Sequence, residues 1–123
     1  MLIVDDNAVN LKLARVLLQS EGYSVRTATD AEDALRILAT FKPRIILMDL
    51  QLPGMDGLEL TRRLKADVAT RQIVILAVTA SAMKGDEERA RAAGCNDYVA
   101  KPIDIDSLPK LIARHLSAPS VPR

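Results

Sequence analysis

Two hydrophobic patterns alternate along the whole chain, and this alternation constrains the fold more than any other feature. Short runs such as IILM (45–48) and IVILAV (73–78) are apolar at every position, which is typical of strands buried on both faces. Between such runs, apolar residues recur at helical spacing. Strands and helices that alternate in this way predict an α/β sandwich, in which right-handed crossovers join a parallel sheet.

The pattern predicts five strands, each followed by a helix. The predicted strands are residues 2–4, 24–28, 44–49, 73–80 and 98–100, and the predicted helices are residues 8–21, 31–38, 58–65, 83–93 and 108–115. We expect Val9, Leu13, Val16 and Leu17 to share one face of the first helix, and Asp30 to cap the second. Residues 1–117 are predicted to form one domain, followed by a flexible tail at 118–123.

The composition excludes several classes of function. The net charge of +1 and the three aromatic residues (one Phe, two Tyr) provide neither a basic surface nor stacking platforms for nucleic acid. No apolar stretch approaches the roughly 20 residues that span a bilayer. Cys95 is the single cysteine, which excludes a disulfide scaffold. Because a strand-like run follows Met1 directly, without the pattern of a signal peptide, we expect a cytoplasmic protein.

Charged and polar residues stand where the apolar strands end. Asp5 and Asp6 follow the first strand, Asp49 ends the third, Thr79 lies at the end of the fourth, and Lys101 follows the fifth. Because the carboxyl ends of parallel strands meet at one edge of the sheet, we expect these side chains to converge there. Any one of these aspartates taken alone could simply cap a turn. The prediction of a site depends on the whole set.

Three clustered carboxylates and an ammonium group are the equipment for phosphoryl transfer. The carboxylates would raise one another's pKa unless a cation lay among them. Oxygen ligands from two or three side chains, with room for water, favour Mg²⁺ over Zn²⁺, and Mn²⁺ could substitute for it. A lysine ammonium can pair with a carboxylate or with a phosphate oxygen. The central carboxylate, Asp49, can then act as a nucleophile that forms an aspartyl phosphate.

At these residues the chain resembles the receiver domains of two-component response regulators, the CheY-like superfamily. The matching segments are VDDN (4–7), MDLQLPGMDG (48–57), AVTA (77–80) and YVAKPI (98–103), which cover the chain in order and spacing. The segment AVTASAMKGDEERARAAGC (77–95) is most similar to single-domain cell-cycle regulators of the DivK type, and also to receiver modules of hybrid sensor kinases. The resemblance implies a flavodoxin-like (βα)5 fold with the strand order 2-1-3-4-5.

The resemblance also implies roles for the residues of the acidic cluster. Asp49 would accept a phosphoryl group from a phosphohistidine on a partner protein. Asp6, Asp49 and the backbone carbonyl of Gln51 would bind Mg²⁺, with Asp5 acting through a coordinated water. Lys101 would hold a phosphate oxygen, and the side chain of Gln51 would tune autodephosphorylation.

A second group of residues would report the phosphoryl group to the surface. Thr79 would donate its hydroxyl to the phosphate, small Ala80 would leave room for that group, and Tyr98 would turn inward as an aromatic switch. Ser81 would tune autodephosphorylation together with Gln51, and Pro102 would follow a cis peptide bond.

The resemblance implies protein partners. A sensor histidine kinase or a histidine phosphotransfer protein would supply the phosphoryl group, and a downstream protein would bind the face made by residues 82–94, the fifth strand and residues 106–116. We expect a monomer or weak dimer that catalyses only its own phosphorylation and dephosphorylation. We expect neither direct contact with nucleic acid nor insertion into a membrane.

Three alternatives compete with this prediction. A haloacid-dehalogenase-type phosphatase or mutase requires a second acidic residue two positions after the nucleophile. Here the position two residues after Asp49 is Gln51. A flavodoxin-like cofactor binder would need aromatic residues and a phosphate-binding loop, and this chain lacks both. A docking module that works without phosphorylation stays open as the main alternative, although all the acidic residues, Thr79 and Lys101 are present.

Overall fold

Strands and helices alternate in the computed structural model, which describes residues 1–52, 54–79, 84–101 and 103–117. The strands are β1 (Leu2–Val4), β2 (Arg26–Ala28), β3 (Ile45–Asp49), β4 (Val74–Thr79) and β5 (Asp97–Ala100). The helices are α1 (Ala8–Ser20), α2 (Ala31–Leu38), α3 (Gly57–Ala66), α4 (Lys84–Ala93) and α5 (Ser107–Ser117). Each predicted strand and helix therefore has a counterpart, with β2 two residues shorter at its start than predicted.

The five strands form one parallel sheet in the order β2-β1-β3-β4-β5, which confirms the predicted fold class and strand order. From β1 the chain first proceeds to the edge strand β2 and then returns to add β3 on the other side of β1. The carboxyl ends of β1 and β3 therefore border the point where the winding direction reverses. In sheets of this kind, ligands bind at that point.

Hydrophobic clusters cover both faces of the sheet. Alternate residues of β3 point to opposite sides, so that Ile46 and Met48 join one cluster while Ile45 and Leu47 join the other. The first cluster also contains buried residues of α2, α3 and α4, and the second contains those of α1 and α5. A central strand that is buried on both sides holds its last residue, Asp49, at a fixed position.

Polar caps begin three of the helices at the carboxyl edge of the sheet. The side chains of Asn7, Asp30 and Asp56 accept the backbone N–H groups three residues further on, at 3.0, 2.7 and 2.8 Å. The cap predicted at Asp30 is confirmed. Each cap ends the preceding loop after a few residues, which keeps the strand ends and the helix starts close together.

The predicted apolar face of α1 points to solvent, and that prediction was wrong. Val9, Leu13 and Val16 are 75%, 49% and 53% exposed. The buried residues of α1 are instead Leu11, Ala14 and Leu18. Leu17, from the predicted face, is only partly buried against the same cluster.

Two further predictions concern a membrane span and the C-terminal tail, of which the first falls within the described residues. No helix among them is long and apolar enough to cross a membrane. The tail predicted at 118–123 lies outside the part of the chain that the structure describes.

Candidate functional site: an acidic cluster with a lysine

Three aspartates meet where β1 and β3 end. One carboxylate oxygen from each of Asp5, Asp6 and Asp49 lies within 4.8 Å of the others. Asp5 and Asp49 are buried, at 5% and 2% exposure, whereas Asp6 is exposed. The topology brings these side chains together because β1 and β3 are parallel neighbours, with Val4 opposite Met48. The convergence predicted from the strand ends is present.

Backbone N–H groups orient the two buried carboxylates. Oδ1 of Asp5 accepts the N–H of Asn7 at 2.9 Å, and Oδ1 of Asp49 accepts the N–H of Gln51 at 3.0 Å. Each aspartate thus forms the same short turn, with its side chain bonded to the backbone two residues on. The turn leaves the other oxygen, Oδ2, directed towards the cleft.

Lys101 bridges those remaining oxygens. Its Nζ lies 3.4 Å from Oδ2 of Asp5 and 3.2 Å from Oδ2 of Asp49, and its side chain is only 19% exposed. The backbone N–H of Lys101 donates to the carbonyl of Thr79 at 2.7 Å, which ties the start of the loop after β5 to the end of β4. The lysine is therefore held at the cleft by the sheet itself.

The charges of the cluster are not balanced within it. Burial raises the pKa of Asp49 above its ordinary value, and repulsion from Asp5 raises it further. The N–H of Gln51 and the ammonium of Lys101 lower it, but they do not outweigh burial and repulsion. A cation placed among these oxygens would relieve that repulsion. The all-oxygen donor set, with exposed Asp6 leaving room for water, fits Mg²⁺.

The other predicted site residues that the structure describes lie beside this cluster. Thr79 is the last residue of β4 and is 3% exposed. A cavity of about 320 Å³ adjoins it, lined by Leu50, Gln51, Leu58, Thr79, Asp86 and Arg89. Tyr98 pairs with Ala77 in the sheet, two residues before Thr79, and packs half-buried against the hydrophobic cluster on the α4 side.

The environment of Tyr98 links it to α4. Burial raises the pKa of the Tyr98 hydroxyl, and the carboxylates of Asp86 and Glu87 raise it further. Tyr98 also packs against the hydrophobic cluster that contains Ala90 of α4, on the face predicted to bind a downstream protein. The predicted roles of Ala80, Ser81 and Pro102 fall outside the described residues.

The sequence analysis missed one residue at the site. Gly57, the first residue of α3, lies directly against the backbone of Asp49, because a methyl group at its Cα would come within 2.3 Å of the Asp49 carbonyl oxygen. The sequence contained a usable signal. Glycine is a poor helix former, and its occurrence immediately after the cap residue Asp56 indicates close packing.

Comparisons with known proteins agree with this geometry. The family model for the response regulator receiver domain matches residues 1–113. The polar-differentiation response regulator DivK of Brucella anthropi is 44% identical over 116 residues, which are 94% of each chain.

Solved structures extend the likeness to the backbone. The receiver domain of a sensor histidine kinase from Pseudomonas aeruginosa, solved with magnesium in its active-site cleft, superimposes with a TM-score of 0.87 at 38% identity and covers 95% of this chain and 96% of that one. The chemotaxis protein CheY4 of Vibrio cholerae gives 0.87 at 26% identity, over 92% and 94%. With the family match over residues 1–113 and this sheet order, the chain belongs to the receiver domain family of two-component response regulators.

Proposed function

We propose that this receiver domain is a phosphorylation-controlled switch in a His–Asp relay and that Asp49 is its phosphoacceptor. The observation that carries the proposal is the position of the Asp49 carboxylate. It is buried at the end of a central strand, beside two other carboxylates and 3.2 Å from the ammonium of Lys101. Negative charge is concentrated around this residue, and a cation there would stabilise it.

Magnesium is the cofactor that fits this set of oxygens. Asp6, Asp49 and the backbone carbonyl of Gln51 would hold the ion, Asp5 would contact it through a bound water, and Mn²⁺ could replace it. When bound, the ion neutralises charge on the carboxylates and on the incoming phosphoryl group. Support comes from the three converging carboxylate oxygens and from the magnesium in the cleft of the Pseudomonas aeruginosa domain.

The protein residues then perform a simple displacement. An oxygen of Asp49 attacks the phosphorus of a phosphohistidine on a histidine kinase or phosphotransfer protein. The P–N bond breaks, and the electron pair stays on the imidazole nitrogen. Lys101 pairs with a phosphate oxygen once Asp49 no longer carries its charge. Hydrolysis later returns the carboxylate and inorganic phosphate, at a rate tuned by the residues at positions 51 and 81.

The phosphoryl group is reported through Thr79 and Tyr98. The Thr79 hydroxyl turns towards the phosphate, and the Tyr98 ring moves into the space beside α4. Since Tyr98 already lies near the carboxylates of Asp86 and Glu87, its movement changes the face formed by α4, β5 and α5. That face binds the downstream protein.

The test is the mass of the intact protein after incubation with acetyl phosphate, with and without Mg²⁺. The parent should gain one phosphoryl group only with Mg²⁺, and Asp49→Ala should gain none. Asp30→Asn is the matched control, because asparagine caps a helix as well as aspartate does. Amide spectra of the modified parent should show changes at Tyr98 and along α4.

Two outcomes would contradict the proposal. A folded parent that takes no phosphoryl group from acetyl phosphate or from a phosphohistidine donor would leave the docking module as the better interpretation. A modified parent whose Tyr98 and α4 signals do not change would contradict the switch.

A further inference from the structure

Gly57 occupies a position where no side chain fits. A Cβ atom built on it would lie 2.3 Å from the carbonyl oxygen of Asp49, 2.8 Å from the Cα of Leu50 and 3.1 Å from the carbonyl carbon of Asp49. All three atoms are backbone, so they cannot move aside as a flexible side chain could. Helix α3 therefore begins in direct contact with the peptide that joins Asp49 to Leu50.

Hydrogen bonds hold this contact from both sides. The N–H of Gly57 donates to the carbonyl of Leu50 at 3.3 Å. The carbonyl of Gly57 accepts the hydroxyl of Thr61 at 2.7 Å, and Thr61 is fully buried. Cys95 lies against that hydroxyl, with its Sγ 3.8 Å from Oγ1 of Thr61. The first turn of α3 is thus fixed to the strand end and to the interior of the protein.

The peptide that Gly57 contacts leads directly into the site. One residue beyond Leu50, the N–H of Gln51 donates to Oδ1 of Asp49. The carbonyl of Gln51 is the backbone ligand assigned to Mg²⁺ in the proposed function. A displacement of the Asp49–Leu50 peptide would therefore move both the orientation of the nucleophile and a metal ligand.

We propose that Gly57 is a positioning residue for phosphoryl transfer. The absence of a side chain there lets α3 press against the Asp49–Leu50 peptide, and that contact places the Asp49 carboxylate and the Gln51 backbone. The inference rests on the proposed function for the identity of the reaction. It adds a residue that touches neither the metal nor the phosphoryl group.

Gly85 provides a matched control. It is the second residue of α4, so a change to alanine alters helix propensity about as much as the same change at Gly57 does. Nothing lies within 4 Å of a Cβ built on Gly85, however. Gly22 and Gly54 are unsuitable, because their φ angles of +94° and +73° would strain any substitution.

The experiment compares Gly57→Ala and Gly85→Ala by three measurements. These are hydrogen exchange of the Gln51 amide without metal, affinity for Mn²⁺ by electron paramagnetic resonance, and the rate of phosphorylation by acetyl phosphate at saturating Mg²⁺. Gly57→Ala should lose protection at the Gln51 amide while the sheet keeps its protection. Its Mn²⁺ affinity and its rate should each fall by about tenfold, as is usual when the support of a metal ligand is lost. Gly85→Ala should match the parent in all three.

Parent-like values for Gly57→Ala would overturn the inference, as would a loss of protection that is uniform over the sheet.

If Gly57→Ala does not fold, Thr61→Val and Thr61→Ser replace it. The valine variant removes the hydroxyl that holds the Gly57 carbonyl and should reduce the rate and the Mn²⁺ affinity, whereas serine should restore both. Equal behaviour of the two would also overturn the inference. A parent that binds Mn²⁺ but accepts no phosphoryl group would refute the proposed function, while the amide and metal measurements would still test Gly57.

Discussion

Two aspartates at strand ends of the same sheet have opposite electrostatic environments. Asp49 ends β3, and burial together with the nearby Asp5 raises its pKa. Asp97 begins β5, and although burial acts to raise its pKa, the hydrogen bond from His115 and the charges around it outweigh that effect and lower it. The first carboxylate is less easily ionised in the folded protein than in solution, and the second is more easily ionised.

The surroundings of Asp97 explain the difference. Its Oδ2 lies 3.0 Å from Nε2 of His115 and 3.5 Å from a guanidinium nitrogen of Arg114. Its Oδ1 accepts the N–H of Tyr98 at 2.9 Å and lies 3.5 Å from Arg91. Groups from α4, β5 and α5 thus balance one negative charge within the chain, which is the environment of a structural ion pair.

The environment of Asp49 is the reverse, because its negative charge is not balanced within the chain. The ammonium of Lys101 pairs with two of the three clustered carboxylates, those of Asp5 and Asp49, so negative charge remains in excess where water is partly excluded. Such an arrangement costs folding free energy, and it persists where a ligand offsets the cost. A buried carboxylate whose charge is not balanced within the protein indicates a site for a cation from outside.

The largest expected effect comes from replacing each aspartate by asparagine. Asp49→Asn should raise the free energy of unfolding without metal by about 1 kcal/mol, because it removes a repelled charge. Asp97→Asn should lower it by about 1–2 kcal/mol, because it leaves the positive groups of α4 and α5 without their anion. Urea unfolding at pH 7 in EDTA measures both. Changes of the same sign would break the comparison.

Divalent metal should separate the two regions further. At a Mg²⁺ concentration about ten times its Kd, the parent should gain about 1.4 kcal/mol of stability, since the ion binds only the folded acidic cluster. Asp49→Asn should lose most of that gain, whereas Asp97→Asn should keep it. NaCl at equal ionic strength is the control, because it screens charges at both aspartates without occupying the cluster. An equal gain in NaCl would remove the argument for a metal site.

The smallest effect is the dependence on pH. A raised folded-state pKa means that the stability difference between Asp49→Asn and the parent should shrink as the pH falls through the folded-state pKa of Asp49 towards about 3.9, its unfolded value. For Asp97 the folded-state pKa is lowered, so its contribution is complete above about 3.9 and is lost only below that pH. Urea titrations of both variants and the parent at several pH values measure this. If the Asp97 contribution disappeared first on acidification, the assignment of the two environments would be wrong.

Much of this protein was predictable from local sequence. Apolar runs of strand length indicated β1, β3 and β4, and β3 matched because it is buried on both faces. The aspartates and the lysine were predictable as a group, because parallel strands place their carboxyl ends at one edge whatever the details of packing. Strand β2 was predicted too long because pairing, which local composition does not report, extends only from Arg26 to Ala28.

Tertiary structure alone decided which way α1 faces. Leu11, Ala14 and Leu18 fit the helical period as well as Val9, Leu13 and Val16 do, so spacing defines two apolar faces without ranking them. Packing against the sheet selected the face that contains small Ala14, which allows the helix to approach closely.

The sequence by itself determined the order of strands and helices and the chemistry collected at one edge of the sheet, since both follow from local pattern and from the geometry of parallel strands. Only the tertiary structure decided which charge is balanced and which backbones touch. The cations around Asp97 come from two helices, and the contact at Gly57 is made across a loop. Both depend on distances that arise only when the layers pack.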